Sequence, residues 1–98
     1  ANRLYGKKQD ANHDEMITAF QVCGFQVVDT SALGADIPDL LVGICRQWAF
    51  VEIKTLRGKL SSGQAEFAEN AAGPVYVART VADVIAIRRR LFALASRR

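Results

Sequence analysis

Histidine and cysteine are scarce, with one His and two Cys in 98 residues. Cys23 and Cys45 lie far apart, show no CxxC spacing and have no histidine cluster to join. That argues against a structural zinc site and leaves two buried free thiols as the expectation. No apolar run approaches the roughly 20 residues a membrane-spanning helix needs. No basic, apolar and cleavage regions in succession open the residues given, so a cytoplasmic protein is expected. Phosphate-binding loops, GxSxG elbows and dinucleotide fingerprints are missing as well. What remains is half apolar and 23% charged, with mean hydropathy +0.05, which suits one domain around one small core. The net charge of +3 is unevenly spread. Residues 1–49 carry four basic and six acidic side chains, and residues 50–98 carry nine and four. A basic second half suits a polyanionic partner, and equally a solvated helix face.

The patterning divides the chain into alternating elements. Residues 1–9 read as a loose basic arm, with Asp10 or Asn12 as a cap for a helix to about Cys23. Met16, Ile17, Phe20 and Cys23 form its apolar stripe, and Gly24 stops it. Residues 25–30 read as a strand and residues 31–38 as a loop. Residues 40–45 and 48–54 read as a hairpin turning at Arg46–Gln47. Ser61–Ser62 opens a helix to about Ala72, residues 75–78 form a buried strand, and Thr80 caps a last helix to about Ala95. The expected architecture is α/β, in the order α-β-β-β-α-β-α, with a mixed sheet flanked by helices and the last strand parallel to the third.

One group of residues stands out chemically. Asp39 follows Pro38 at the start of the second strand, and Glu52 and Lys54 stand two apart on the third. Period-two alternation puts Glu52 and Lys54 on one sheet face and Val51 and Ile53 on the other. In a hairpin, Asp39 can then lie beside Glu52. Two carboxylates with the Ile53 carbonyl suit a hard divalent cation such as Mg²⁺. Lys54 beside them can position a nucleophile or stabilise developing charge. The plain alternative is an exposed cross-strand pair and a turn-capping aspartate. Asp36 could stand in for Asp39 but lacks the preceding proline, and His13 reads as a surface helix residue.

IPDLLVG followed by WAFVEIKT resembles the PD-(D/E)xK nuclease superfamily, and within it the VRR-NUC branch of small phage and bacterial enzymes. DANHDEMITAF, GKLSSGQAEF and VYVARTVADV extend the resemblance over residues 7–88. The resemblance implies a restriction-endonuclease-like core. It implies metal ligation by Asp39, Glu52 and the Ile53 carbonyl, with Lys54 catalytic, Glu15 as a helix-borne acid with a possible ligand role, and Gln64 as a site residue. Glu15 lies about 110° from the centre of its helix's apolar stripe, at about 100° per residue, on the rim of the buried face. It also reads as an ordinary acid in a first turn. Gln64 completes a capping box with Ser61 and also shares a helix face with Phe67, Ala68 and Ala71.

The function that follows is a Mg²⁺- or Mn²⁺-dependent DNA endonuclease in a bacterial or phage-infected cell. Homodimers acting on branched or Holliday-junction DNA are expected from the resemblance. Lys7, Lys8, Arg57 and Lys59 are the best DNA contacts, ahead of the arginines at 88–90, 97 and 98. On the last helix, Val81, Val84, Ile85, Leu91 and Phe92 read as one stripe with Ile87 and Leu94 off it, which offers a self-association face. The alternatives are a non-catalytic nucleic-acid-binding module on the same fold and a protein-interaction domain.

Overall fold

Gly24, at φ +95°, takes a conformation that side chains resist, and it turns the chain out of the first helix into the sheet. The computed structural model describes residues 12–97. They form α1 (Asn12–Val22), β1 (Gln26–Asp29), a 3-10 turn (Ser31–Leu33), β2 (Leu40–Ile44), β3 (Gln47–Ile53), α2 (Ser62–Asn70), β4 (Val75–Ala78) and α3 (Val81–Ala95). The result is a small α/β fold with three helices and a four-stranded mixed sheet of order β1-β2-β3-β4. β1 and β3 each pair antiparallel with β2, and β4 runs parallel to β3, as patterning leads one to expect. No described helix is long and apolar enough to cross a membrane.

Each sheet face has its own cover. Leu40, Val42, Ala49, Val51 and Ile53 point into the core, against Met16 and Phe20 of α1 and Val84, Ile87 and Leu91 of α3. Phe20 meets Phe25 edge to face at 5.0 Å. The alternate residues of β3, Trp48, Phe50 and Glu52, project from the opposite face. α2 covers only part of that face. It buries no residue fully and is fixed there by Phe67, whose ring meets Phe50 edge-on at 5.5 Å.

The hairpin differs from expectation in an instructive way. Its turn is Cys45–Arg46, not Arg46–Gln47, and both residues take positive φ, +47° and +64°. Two-residue hairpins favour that geometry because it matches strand twist, even where the residues are not the usual Asn-Gly. Moving the turn by one residue moves the pairing by two, so every side chain keeps its face. The observed pairs, Leu40 with Val51 and Val42 with Ala49, extend to Asp39 opposite Glu52. A turn at Arg46–Gln47 would have put Asp39 opposite Lys54.

Other corrections are local. Asn12 is the first residue of α1 with its side chain turned inward rather than a cap, and Asp10 lies outside the described residues. The loop after β1 contains the 3-10 turn, and α2 ends at Asn70. On α3 the inward stripe is Val84, Ile87, Leu91 and Leu94, while Val81, Ile85 and Phe92 are exposed. The arrangement follows 3-and-4 spacing from Val84, which puts Ile87 inside. The two cysteines are free and half-buried.

Candidate active site

The end of β3 gathers four of the side chains singled out by sequence. Asp39, just before β2, accepts a hydrogen bond through Oδ2 from the Ile53 amide at 2.8 Å. Its own carbonyl accepts from Thr30 N–H at 2.9 Å, so both ends of the residue are fixed. Glu52 is only 5% exposed although it faces away from the core, because α2 lies over it. Gln64 of α2 donates through Nε2 to Glu52 Oε2 at 3.0 Å, and Lys54 Nζ stands 3.7 Å from the same oxygen. Gln64 Oε1 meanwhile accepts from Ser61 N–H at 2.9 Å, and Ser61 Oγ accepts from Gln64 N–H at 3.1 Å. The capping role and the site role therefore coexist in one side chain.

Electrostatically the pair is uncomfortable. Burial pushes the Glu52 carboxyl up from 4.5 to about 7, and the charge and hydrogen bond of Asp39 push in the same direction. Lys54 opposes both. The Ile53 amide points toward Asp39, and a strand residue sends its N–H and C=O to the same side, so the Ile53 carbonyl faces that side as well. Two carboxylates and a carbonyl with one ammonium alongside lack positive charge. That donor set fits Mg²⁺ or Mn²⁺, which accept oxygen ligands and keep several waters. Among the described residues no group of three or more His, Cys, Asp or Glu side chains gathers to hold a metal. Water would complete any coordination.

The other candidates are placed differently. Glu15 is exposed on α1. One turn before it, Asn12 donates to the Lys54 carbonyl at 3.5 Å, while its buried Oδ1 has no hydrogen-bond partner among the described residues. The spacing of Asn12 marks it only as a helix cap and carries no sign of its inward role. Arg57 and Lys59 are exposed on the loop between β3 and α2. That loop is clamped by Arg79 Nη1, which donates to the carbonyls of Thr55 at 2.7 Å and Gly58 at 2.5 Å. Lys7 and Lys8 lie outside the described residues. Asp36 packs on Gly63 in the first turn of α2, where any Cβ would collide with its carboxylate. On α3, Arg88 donates to the Cys23 carbonyl at 3.0 Å and Arg90 lies over Tyr76, in the layer across the sheet from Glu52.

His13 is not a surface residue. It is 4% exposed and meets Asp29 Oδ2 at 3.2 Å. Asp29 Oδ1 also accepts from the Ser31 hydroxyl at 2.6 Å and the Ser31 amide at 3.0 Å. Burial raises the Asp29 carboxyl, but the Ser31 hydrogen bonds and His13 outweigh it, and the net shift is downward. The serine bonds the aspartate rather than the histidine, so the trio ties α1 to β1 and is not a nucleophilic triad.

Comparison of the chain with family models, with curated proteins and with solved structures finds no match in any of the three.

Proposed function

We propose that this chain is a metal-dependent DNA endonuclease with a restriction-endonuclease-like core of the VRR-NUC kind, working as a homodimer on branched DNA. The observation that carries the reading is the pairing of the buried Glu52 with the half-buried Asp39, with Lys54 3.7 Å from Glu52 and Gln64 bonded to it. A fold gains little by forcing two carboxylates together in low dielectric, whereas a cation site needs that. Asp39, Glu52 and the Ile53 carbonyl would hold Mg²⁺ or Mn²⁺. Such an ion would draw charge from the scissile phosphate and acidify a water, making hydrolysis to a 5′-phosphate possible near neutral pH. The Ile53 amide aims Asp39, and Gln64 holds the Glu52 carboxylate in one rotamer. Lys54 places a positive charge where negative charge develops on the phosphate.

The dimer is supported by Val81, Ile85 and Phe92, which leave 41–53% of their surface exposed along one side of α3. Two copies would offer two cutting sites for the paired incisions that a junction requires.

A cleavage panel tests the reading: linear duplex, nicked, flap, splayed and four-way junction DNA, with Mg²⁺ and with EDTA. Cutting should need the metal and favour branched forms. Asp39→Asn and Glu52→Gln should each remove most of it while circular dichroism stays unchanged. Cutting by both variants at the wild-type rate would end the proposal.

A further inference from the structure

The sheet face that carries Glu52 continues into an aromatic groove with no part in the chemistry above. Trp48 and Phe50 precede Glu52 and Lys54 at two-residue steps on the same face of β3. Trp48 is 45% exposed, although it is the only tryptophan in the chain. Its ring lies flat on Gly43, its partner across the hairpin, where a Cβ would sit 2.8–2.9 Å from three ring atoms. Glycine weakens a mid-strand position, so the sheet gives up stability to seat this ring. One ring face rests on the backbone, and nearly half of the residue's surface stays exposed. Beside it Phe50, Phe67, Ala71 and Pro74 line a cavity of about 260 Å³.

We propose that this groove is a docking site for an unpaired base of the DNA strand cut at Asp39 and Glu52, an inference that rests on the nuclease reading. Aromatic faces stack on any base without regard to sequence. The cavity is smaller than the roughly 300–1,000 Å³ of pockets for drug-sized ligands, which suits a single planar ring system. Trp48 and Glu52 are four residues apart, about 13 Å along a strand, or about four stacked nucleotides at 3.4 Å each. Charge agrees with this occupant. From Leu40 to Val51 there is no acidic side chain, and Arg46 and Lys54 bracket the row of aromatics. The acids Glu66 and Glu69 are exposed on α2, across the groove, so a phosphate backbone would approach from the hairpin side.

A single tryptophan makes the test direct. In EDTA, where cutting is suppressed, Trp48 emission is followed during titration with splayed-arm DNA and with blunt duplex of equal length. Splayed DNA should quench it and blunt duplex should leave it nearly unchanged. With Mg²⁺, Trp48→Ala should lower the preference for splayed over paired DNA about tenfold, and Trp48→Phe should restore most of it. Unchanged emission with splayed DNA, or an unaltered preference in Trp48→Ala, overturns the docking site while metal-dependent cutting still stands. An emission shift that grows with protein concentration alone would put a second copy on the groove and also overturn it. Quenching without metal-dependent cutting by the wild type would instead remove the nuclease reading.

Discussion

The raised Glu52 carboxyl carries an electrostatic cost, and its sign can be checked in solution. With a folded value near 7 against 4.5 for a free carboxyl, the native state keeps a proton that the unfolded chain has lost. Below about pH 4.5 both states are protonated and nothing changes. As pH rises from there through 7, metal-free stability should fall, by about 3 kcal/mol in total. Urea unfolding at pH 5 and pH 8 measures this, and Glu52→Gln should flatten the difference. Mg²⁺ should recover stability at pH 8, and its apparent affinity should weaken about tenfold per unit below pH 7, because binding displaces one proton. Lys54 belongs to the same balance. On the proposed nuclease reading, Lys54→Ala should keep DNA affinity within a few fold, since it would remove one phosphate contact among several, yet lose about 10²-fold or more in single-turnover rate. It should also shift the rate–pH curve upward, because Lys54 is what holds the Glu52 value down. Large loss of affinity at an unchanged rate would make it a DNA-binding lysine instead.

At the level of elements, α2 is held by small attachments: the Gln64 bond to Glu52, the Phe67 ring on Phe50 and the packing of Asp36 on Gly63. Gln64→Ala removes the back half of the capping box and the bond to Glu52, and should cost about 1–2 kcal/mol. Amide exchange should quicken first in the opening turn of α2. The hairpin carries the opposite kind of opportunity. Arg46 sits at φ +64°, and Arg46→Gly should stabilise the fold by about 0.5 kcal/mol, measured by chemical denaturation, because relief of the left-handed conformation exceeds the entropy cost. The same contrast shows what the sequence made legible. Periodicity and the glycines at 24 and 73 placed every helix and strand to within a residue or two, and the faces of β3 followed from alternation. The turn was displaced because Cys-Arg carries no signal for positive φ, which only the twist of two paired strands imposes. His13 was misplaced for a related reason: a polar side chain is buried when a partner reaches it, and Asp29 comes from another element. The Asp39, Glu52, Lys54 and Gln64 group was readable from motif spacing, and the two-residue error in the expected register left every side chain on its own face. Asn12 and Arg79 were not, since each acts through backbone carbonyls distant in sequence.

Over the whole molecule, the sheet separates two apolar faces with different prospects. Across it from Glu52, Val81, Ile85 and Phe92 remain uncovered on α3. If two copies meet there, Ile85→Glu should convert a dimer into a monomer in sedimentation at micromolar concentration and leave the thermal midpoint of the monomer fold nearly unchanged. A wild type that sediments as a strict monomer and cuts linear duplex as readily as junctions would leave a structure-blind nuclease. The hairpin has one more consequence. Asp39 precedes the Cys45–Arg46 turn, whereas Glu52, Lys54 and Gln64 all follow it. Opening the peptide bond within that turn would leave two fragments, 1–45 and 46–98, neither with both carboxylates. On the proposed nuclease reading, the fragments attached to two other proteins would form a reporter that cuts DNA only when those proteins bring strands β2 and β3 back together.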